Sequence, residues 1–270
     1  MRMTYPGIGI TRPNVARVYD YLLGGIESFA ADREQATELL RICPALGVVA
    51  LENRYLLARA VTWAAGHGLT QFIDLGAGMP VQEAGAGVLE DIHVTAQAAR
   101  RSARVAYVDN DPLVLARSRV FRAPARSVAV SAADLTDPGS VLADPDLRAV
   151  IDLAQPACFI FGLTLGLVPA TAARDVVAGY LRRAAPGSCA VISCGRCDDE
   201  ALWAQLSKAY TAAEVHNHTP AEIERLLDGL EPTPPGVVPA QSWRGDWHDA
   251  PAAPPGPVYV LAGVARKPPA

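Results

Sequence analysis

The stretch Phe72-Ile73-Asp74-Leu75-Gly76-Ala77-Gly78 decides how the chain reads. An apolar strand carries one carboxylate near its end and then turns through two glycines. Glycine takes dihedrals closed to other residues and lets a ligand approach the backbone. At the carboxyl end of a parallel strand, such a turn lies where open α/β sheets bind their ligands. A dinucleotide-binding loop also carries glycines here, but its fingerprint asks for a third, three positions after the second. That position is Val81, and Pro80 stiffens the turn before it. Asp74 would repel the pyrophosphate of a dinucleotide, whereas a ligand carrying an ammonium or sulfonium gains from it.

Outward from this motif, strands alternate with helices from Thr70 onward, the pattern of a parallel sheet with crossover helices. Periodicity predicts strands at 71–75, 104–108, 127–131, 157–163 and 189–193, with helices over 89–99, 112–121, 140–153 in pieces, and 171–184. A helix near 198–212 follows, then another opening at the capping box Thr219-Pro220-Ala221-Glu222. Residues 236–243 and 257–264 read as two strands joined without a helix, which must pair antiparallel. Ahead of the sheet the chain is helical. Pro13 suits the first position of a helix carrying Val15, Val18, Tyr19 and Leu22 until Gly24-Gly25, and further helices cover 30–42 and 48–65. The expected organisation is an N-terminal helical cap, residues 1–68, and a Rossmann-like α/β domain, residues 69–270, in one compact unit.

At 270 residues, half of them hydrophobic and 19% charged, the chain can bury a sizeable core and is not a disordered one. A net charge of −4 and a pI near 5.7 argue against gripping nucleic acid by bulk electrostatics. The longest apolar run, Cys158 to Val168, has 11 residues with two glycines, while a spanning helix needs about 20. The N-terminus lacks the apolar core of a signal peptide, and five scattered cysteines make no disulfide framework, which together point to a soluble cytoplasmic protein. Seven arginines between Arg100 and Arg126 read as a solvated helix face.

Two further strand ends sharpen the motif. The second strand ends in Asp109-Asn110-Asp111, where a carboxylate can accept both hydroxyls of a ribose. The third ends at Ala133-Asp134-Leu135, where a side-chain acceptor and a backbone N–H can read the edge of an adenine. Three acidic strand ends in succession suit a nucleoside without phosphates, cationic or neutral. S-adenosylmethionine fits that description better than NAD or ATP.

These strand ends, with the terminal antiparallel pair, resemble the class I Rossmann-type methyltransferases. More narrowly, Arg17-Val18-Tyr19-Asp20-Tyr21-Leu22-Leu23-Gly24-Gly25, Phe29-Ala30-Ala31-Asp32-Arg33, the Phe72–Gly78 stretch and Tyr107-Val108-Asp109-Asn110-Asp111-Pro112 resemble the actinobacterial S-adenosylmethionine methyltransferase family known as DUF574. The likeness runs from about Arg12 to Arg266. It implies a seven-stranded sheet under an N-terminal helical cap and cofactor contacts at Asp74, Gly76, Gly78, Asp109 and Asp134. Three features depart from the family pattern: Ala77 stands where relatives more often carry Thr or Ser, residues 82–91 look inserted, and Ser193-Cys194-Gly195 replaces a stretch that tends to carry a histidine.

The expected roles are then the methionine amine at Asp74, the ribose at Asp109 with Asn110 beside it, and the adenine at Asp134 and Leu135. Ala77 completes the glycine loop, Asn14 and Arg17 reach towards the cofactor's carboxylate, and Phe161-Gly162-Leu163-Thr164 forms the floor beside the methyl group. Asp20 and Tyr21 are the candidates for a general base, and Tyr19 and Arg33 stand beside them under the cap, either lining a pocket for a small-molecule acceptor or simply packing. Cys194, Cys197, His216 and His218 lack the spacing of metal ligands. Trp243, Arg244 and Trp247 either edge a substrate site or anchor the core. Two rival readings stay open: a non-catalytic nucleoside-binding regulator and a nicotinamide-dependent oxidoreductase.

Overall fold

The computed structural model describes residues 9–81, 90–122, 126–244 and 256–268. Three helices lead, α1 (Val15–Leu22), α2 (Ala30–Ile42) and α3 (Leu46–Gly66). Then come β1 (Gln71–Leu75), α4 (Ile92–Ala99), β2 (Arg104–Asp109), α5 (Pro112–Phe121), β3 (Val128–Ala132), α6 (Pro138–Ala143), α7 (Pro145–Val150) and β4 (Cys158–Gly162). The chain continues through α8 (Ala170–Arg183), β5 (Cys189–Cys197), α9 (Glu200–Ala209), α10 (Pro220–Arg225), β6 (Glu231–Pro232), β7 (Val238–Pro239) and β8 (Val258–Arg266).

The sheet order is β3-β2-β1-β4-β5-β8-β6, with β7 also on β8. The first five strands run parallel, and β8 pairs antiparallel with β5, β6 and β7. Every residue of β1 is buried, as expected for a parallel strand covered on both faces. Side chains alternate between two cores. Phe72, Val105, Tyr107 and Val191 face a layer built on α3, whereas Ile73, Ala106, Val108 and Ile192 face one built on α6, α7, α8 and α10. Leu56, Ala60 and Ala64 of α3 are fully buried against the first face, so the N-terminal helices share the sheet's own core.

Local details depart from the periodicity reading for identifiable reasons. Helix α1 starts after Asn14, whose extended backbone and side-chain oxygen cap the amides of Ala16 and Arg17, so Pro13 precedes the cap rather than opening the helix. Strand β5 runs on to Cys197 because β8 pairs with it over its whole length. Of the segment 236–243, only Val238 and Pro239 pair with β8, while Glu231 and Pro232 pair further along the same edge. These two short pieces together hold the place of the seventh strand. Prolines 232, 234, 235 and 239 interrupt it, since proline cannot donate to a ladder and is confined to edges. Trp243 is fully buried against Trp63 and Arg59 donates to its carbonyl, making it a core anchor. Trp247 and residues 82–89 lie outside the described residues.

Candidate active site

From β1 the chain steps outward to β2 and β3, then crosses back to β4 on the other side of β1. At that switch point the two connections diverge and leave a crevice at the strands' carboxyl ends. A cavity of about 350 Å³ opens there, walled by α1 and α3. Asp74, Gly76, Ala77, Gly78, Asp109, Asn110, Asp134, Leu135 and Gly162 all line it.

The glycine loop is fixed from two sides. Gly76 and Ala77 both donate to the Val108 carbonyl, at 2.9 and 3.0 Å. Gly76 sits at φ +78°, and a Cβ there would run into the Thr164 methyl. Gly78, at φ +62°, donates to Asp109 Oδ2 at 3.0 Å. Asp109 Oδ1 accepts from Asp111 N at 2.9 Å, so two amides orient the carboxylate while each oxygen keeps capacity for a further donor. Burial raises the Asp109 pKa against those two hydrogen bonds. Asn14 Nδ2 donates to Asp111 Oδ2 at 2.8 Å and ties the start of α1 across the end of β2.

Asp74 is different. Its side chain is 4% exposed and accepts no hydrogen bond among the described residues, yet it lines the cavity. Burial pushes its pKa up to about 6, with the Arg122 and Arg54 guanidinium groups opposing the rise. Thr164 presents a second unsatisfied group on the cavity wall, a buried hydroxyl without a hydrogen-bond partner among the described residues. A buried carboxylate left unpaired is costly unless something cationic meets it. At the opposite rim, Asp134 is exposed and holds Thr136 N and Oγ1 through one oxygen. Leu135 gives its carbonyl to Tyr180.

The profile of the S-adenosyl methyltransferase family matches residues 2–268. The chain belongs to that family. It is an S-adenosylmethionine-dependent methyltransferase. Two solved structures are similar over nearly the full length. One is a protein from Thermobifida fusca YX provisionally described as a methyltransferase, 36% identical, with a TM-score of 0.85 over 99% of this chain and 100% of that one. The other is a DUF574 family protein from Streptomyces avermitilis MA-4680, 32% identical, with a TM-score of 0.88 over 97% and 100%. An O-methyltransferase family protein from Burkholderia thailandensis shares the fold alone, at 14% identity and a TM-score of 0.50 over 85% of this chain and 62% of that one. No curated protein matches the chain.

Three residues of the methyltransferase expected at the site lie away from the cavity. Arg17 is buried and donates to Asp32 Oδ2 at 2.7 Å and to the carbonyls of Gly9 and Arg12. Asp32 also accepts from Asn14 N and Phe29 N, so this pair knots α1 to α2. Asp20 turns back over Gly25, where a Cβ would collide with its carboxylate, and accepts from Glu27 N. Tyr21 packs part-buried against the core. The cavity instead meets Val15, Ala16, Tyr19 and Leu22, one helical face at three- and four-residue spacing, which turns positions 20 and 21 away.

Other residues at the site escaped the sequence reading. Arg122 is buried, not part of a solvated face. It donates to the carbonyls of Gly78 and Met79, reaches Asp91 Oδ1 at 2.8 Å, and lies 4.2 Å over the Tyr107 ring. It thereby clamps the glycine loop from behind. Arg54 lines the cavity, its guanidinium 3.9 Å from Asp91. A relay of hydrogen bonds ties the end of β4 to the helices. The Leu163 amide donates to Ser193 Oγ at 3.0 Å and that hydroxyl to Asn53 Oδ1 at 2.6 Å. Asn53 Nδ2 then donates to the Tyr19 hydroxyl, which donates to the Ala50 carbonyl, both at 2.9 Å. The relay holds Leu163 at φ +61°, a left-handed conformation that costs a leucine about 1–2 kcal/mol.

Proposed function

We infer that the protein transfers a methyl group directly, in line, to a small-molecule acceptor, with the cofactor seated along the strand ends. The observation that carries this is Asp74, a buried carboxylate that accepts no hydrogen bond among the described residues and lines a cavity. An ammonium there turns a desolvated charge into an ion pair, and at 4 Å with an effective dielectric of about 20 the attraction is about 4 kcal/mol before desolvation. We assign the cofactor's carboxylate to Arg54, which lines the cavity, and not to Arg17, which does not; the Thr164 hydroxyl lines the same cavity. Asp109 receives the ribose hydroxyls, already oriented by Gly78 and Asp111. Asn110, Asp134 and the Leu135 amide face the adenine. Among the described residues no atom stands within 4 Å of where a Gly78 Cβ would be, Gly76 makes room for the Thr164 methyl, Ala77 lies between them, and Gly162 lines the same cavity.

S-adenosylmethionine supplies, when bound, a methyl group already activated on a sulfonium, so the chain needs no covalent nucleophile of its own. What these residues do is hold and orient. Fixing an acceptor behind the methyl carbon can contribute about 7–11 kcal/mol. Residues 1–68 act on this reading as the helical wall of the site and 69–270 as the cofactor-binding domain, folding as one unit around the shared core. The test is calorimetric titration with S-adenosylhomocysteine. Asp109→Ala should weaken binding at least tenfold, and equal heats and midpoints for the two proteins would remove the ribose assignment.

A further inference from the structure

A second cavity of about 210 Å³ adjoins the first. Tyr19, Leu22, Leu163, Leu167 and Tyr210 line both, so the two spaces meet along one shared wall. Resting on the reading of the first cavity as the cofactor's seat, we propose that the second is the acceptor chamber and takes a neutral aromatic hydroxyl compound of one or two rings.

The chamber's lining sets the acceptor's class. Leucines, valines, Trp203 and the two tyrosines make most of it, and no carboxylate belongs to it. Its cation, Arg196, is already bonded to Asp198 at 2.8 Å. A charged acceptor would lose its hydration here without an opposite charge in return. Dry apolar cavities of about 150 Å³ accept benzene, so this space suits one ring or two. Gly195 adds an independent sign. It lies within β5, on the same face as Val191, and none of the described residues stands within 4 Å of where its Cβ would be. A glycine inside a strand weakens the strand and marks close approach by another group, and here it lines the chamber.

Tyr210 selects the acceptor atom. Its hydroxyl makes no hydrogen bond among the described residues, and it stands on the shared wall. Burial raises its pKa, so it remains a donor. An acceptor atom held by that donor needs a second lone pair to attack the methyl group. A hydroxyl oxygen has two, whereas a neutral amine nitrogen has one and cannot do both. In the transfer an O–C bond forms, the C–S bond breaks, and its electron pair returns to sulfur, leaving the thioether. The hydroxyl proton goes to His216, whose imidazole lines the chamber. The Cys197 thiol is raised by burial and donates to the Asp199 carbonyl.

The test loads the full-length protein with S-adenosylhomocysteine and titrates 2-naphthol and naphthalene, following tryptophan emission and heat. Wild-type protein should bind both probes. Gly195→Leu places bulk into open space on the chamber side, away from the first cavity's lining, and should reduce binding of both at least tenfold with the S-adenosylhomocysteine affinity unchanged. Tyr210→Phe should weaken 2-naphthol about two- to twelve-fold and leave naphthalene unaffected, the loss of one hydrogen bond. Failure of 2-naphthol to bind, or equal binding to the Gly195→Leu protein, overturns the proposal. Binding of 2-naphthol without binding of S-adenosylhomocysteine would refute the cofactor seat and leave the chamber standing.

Discussion

Replacing Asp74 with Asn separates what the residue does for folding from what it does for the ligand. The carboxylate is shifted from 3.8 to about 6 by burial, so without ligand its ionised form destabilises the fold. The sign follows from proton binding. Between those two values the native state holds the proton that the unfolded chain has released, so stability falls as pH rises through the window. Above it the penalty is constant at roughly 3 kcal/mol, and at pH 5 it is about half that. Asn has the same shape and no charge to desolvate. Dialysed Asp74→Asn protein should therefore melt higher than wild type at pH 8, by roughly 6–10 °C for a chain of this size, with a smaller gain at pH 5. With S-adenosylhomocysteine added the order should invert. Losing a charge-assisted contact of about 1.5–3 kcal/mol weakens the variant's affinity roughly 10- to 150-fold, and wild type gains more from mass action. Thermal unfolding at the two pH values, with and without ligand, measures all four quantities. A ligand-free variant no more stable than wild type at pH 8, or an affinity within twofold of wild type, would refute the reasoning.

Arg122→Met takes from buried Asp91 the closer of its two arginines, leaving Arg54 at 3.9 Å, and should cost up to about 3–5 kcal/mol by chemical denaturation, while loosening the glycine loop and weakening S-adenosylhomocysteine binding. Adding Asp91→Asn should restore part of the stability, and simple additivity of the two would argue that they do not act as a pair. Arg54→Gln should weaken S-adenosylhomocysteine at least tenfold, whereas Arg17→Gln should lower stability and leave the affinity of the folded protein unchanged. The opposite pattern in titration calorimetry would return the carboxylate contact to Arg17.

Much of this was legible in the sequence because a parallel sheet announces itself. Strands buried on both faces are apolar and bounded by turns, and Asp74, Asp109 and Asp134 fell near the carboxyl ends of three successive ones. The polar residues inside helices were harder. Arg122 closes a stripe of Val114, Leu115 and Ser118, all buried, while Arg117 and Arg119 point elsewhere. That i, i+3, i+4 spacing was present in the sequence, but an arginine at a helix end reads first as surface charge. Likewise Asn53 and Arg54 lie in a 21-residue helix whose residues are mostly buried, so a polar pair there had to be partnered. Their partners come from the glycine-loop side and from β5, at separations that no local pattern reveals. The same limit applies to Asp20 and Tyr21. The family block singled out a helix that lines the cavity, and its rotation, fixed by packing against α2 and α3, turns Tyr19 and not its neighbours towards that space.

The relay from Leu163 to Tyr19 bears on how the two cavities work together. Its members lie just beyond β4 and on β5, α3 and α1, and its last side-chain member, Tyr19, lines both spaces. Its hydroxyl is engaged at both ends, as acceptor from Asn53 and donor to Ala50, so it is not available as a base. This matches a reaction in which the methyl group is activated before it arrives and the protein's task is alignment. The strained Leu163 backbone then has a purpose on this reading. It sets the floor where the spaces join, and the network supplies the hydrogen bonds that keep it there. Asn53→Leu would release the strain and shift the floor without touching Asp74, Asp109 or the glycine loop. Methyl transfer depends on alignment more steeply than binding does, so the loss at that position belongs to turnover more than to cofactor affinity.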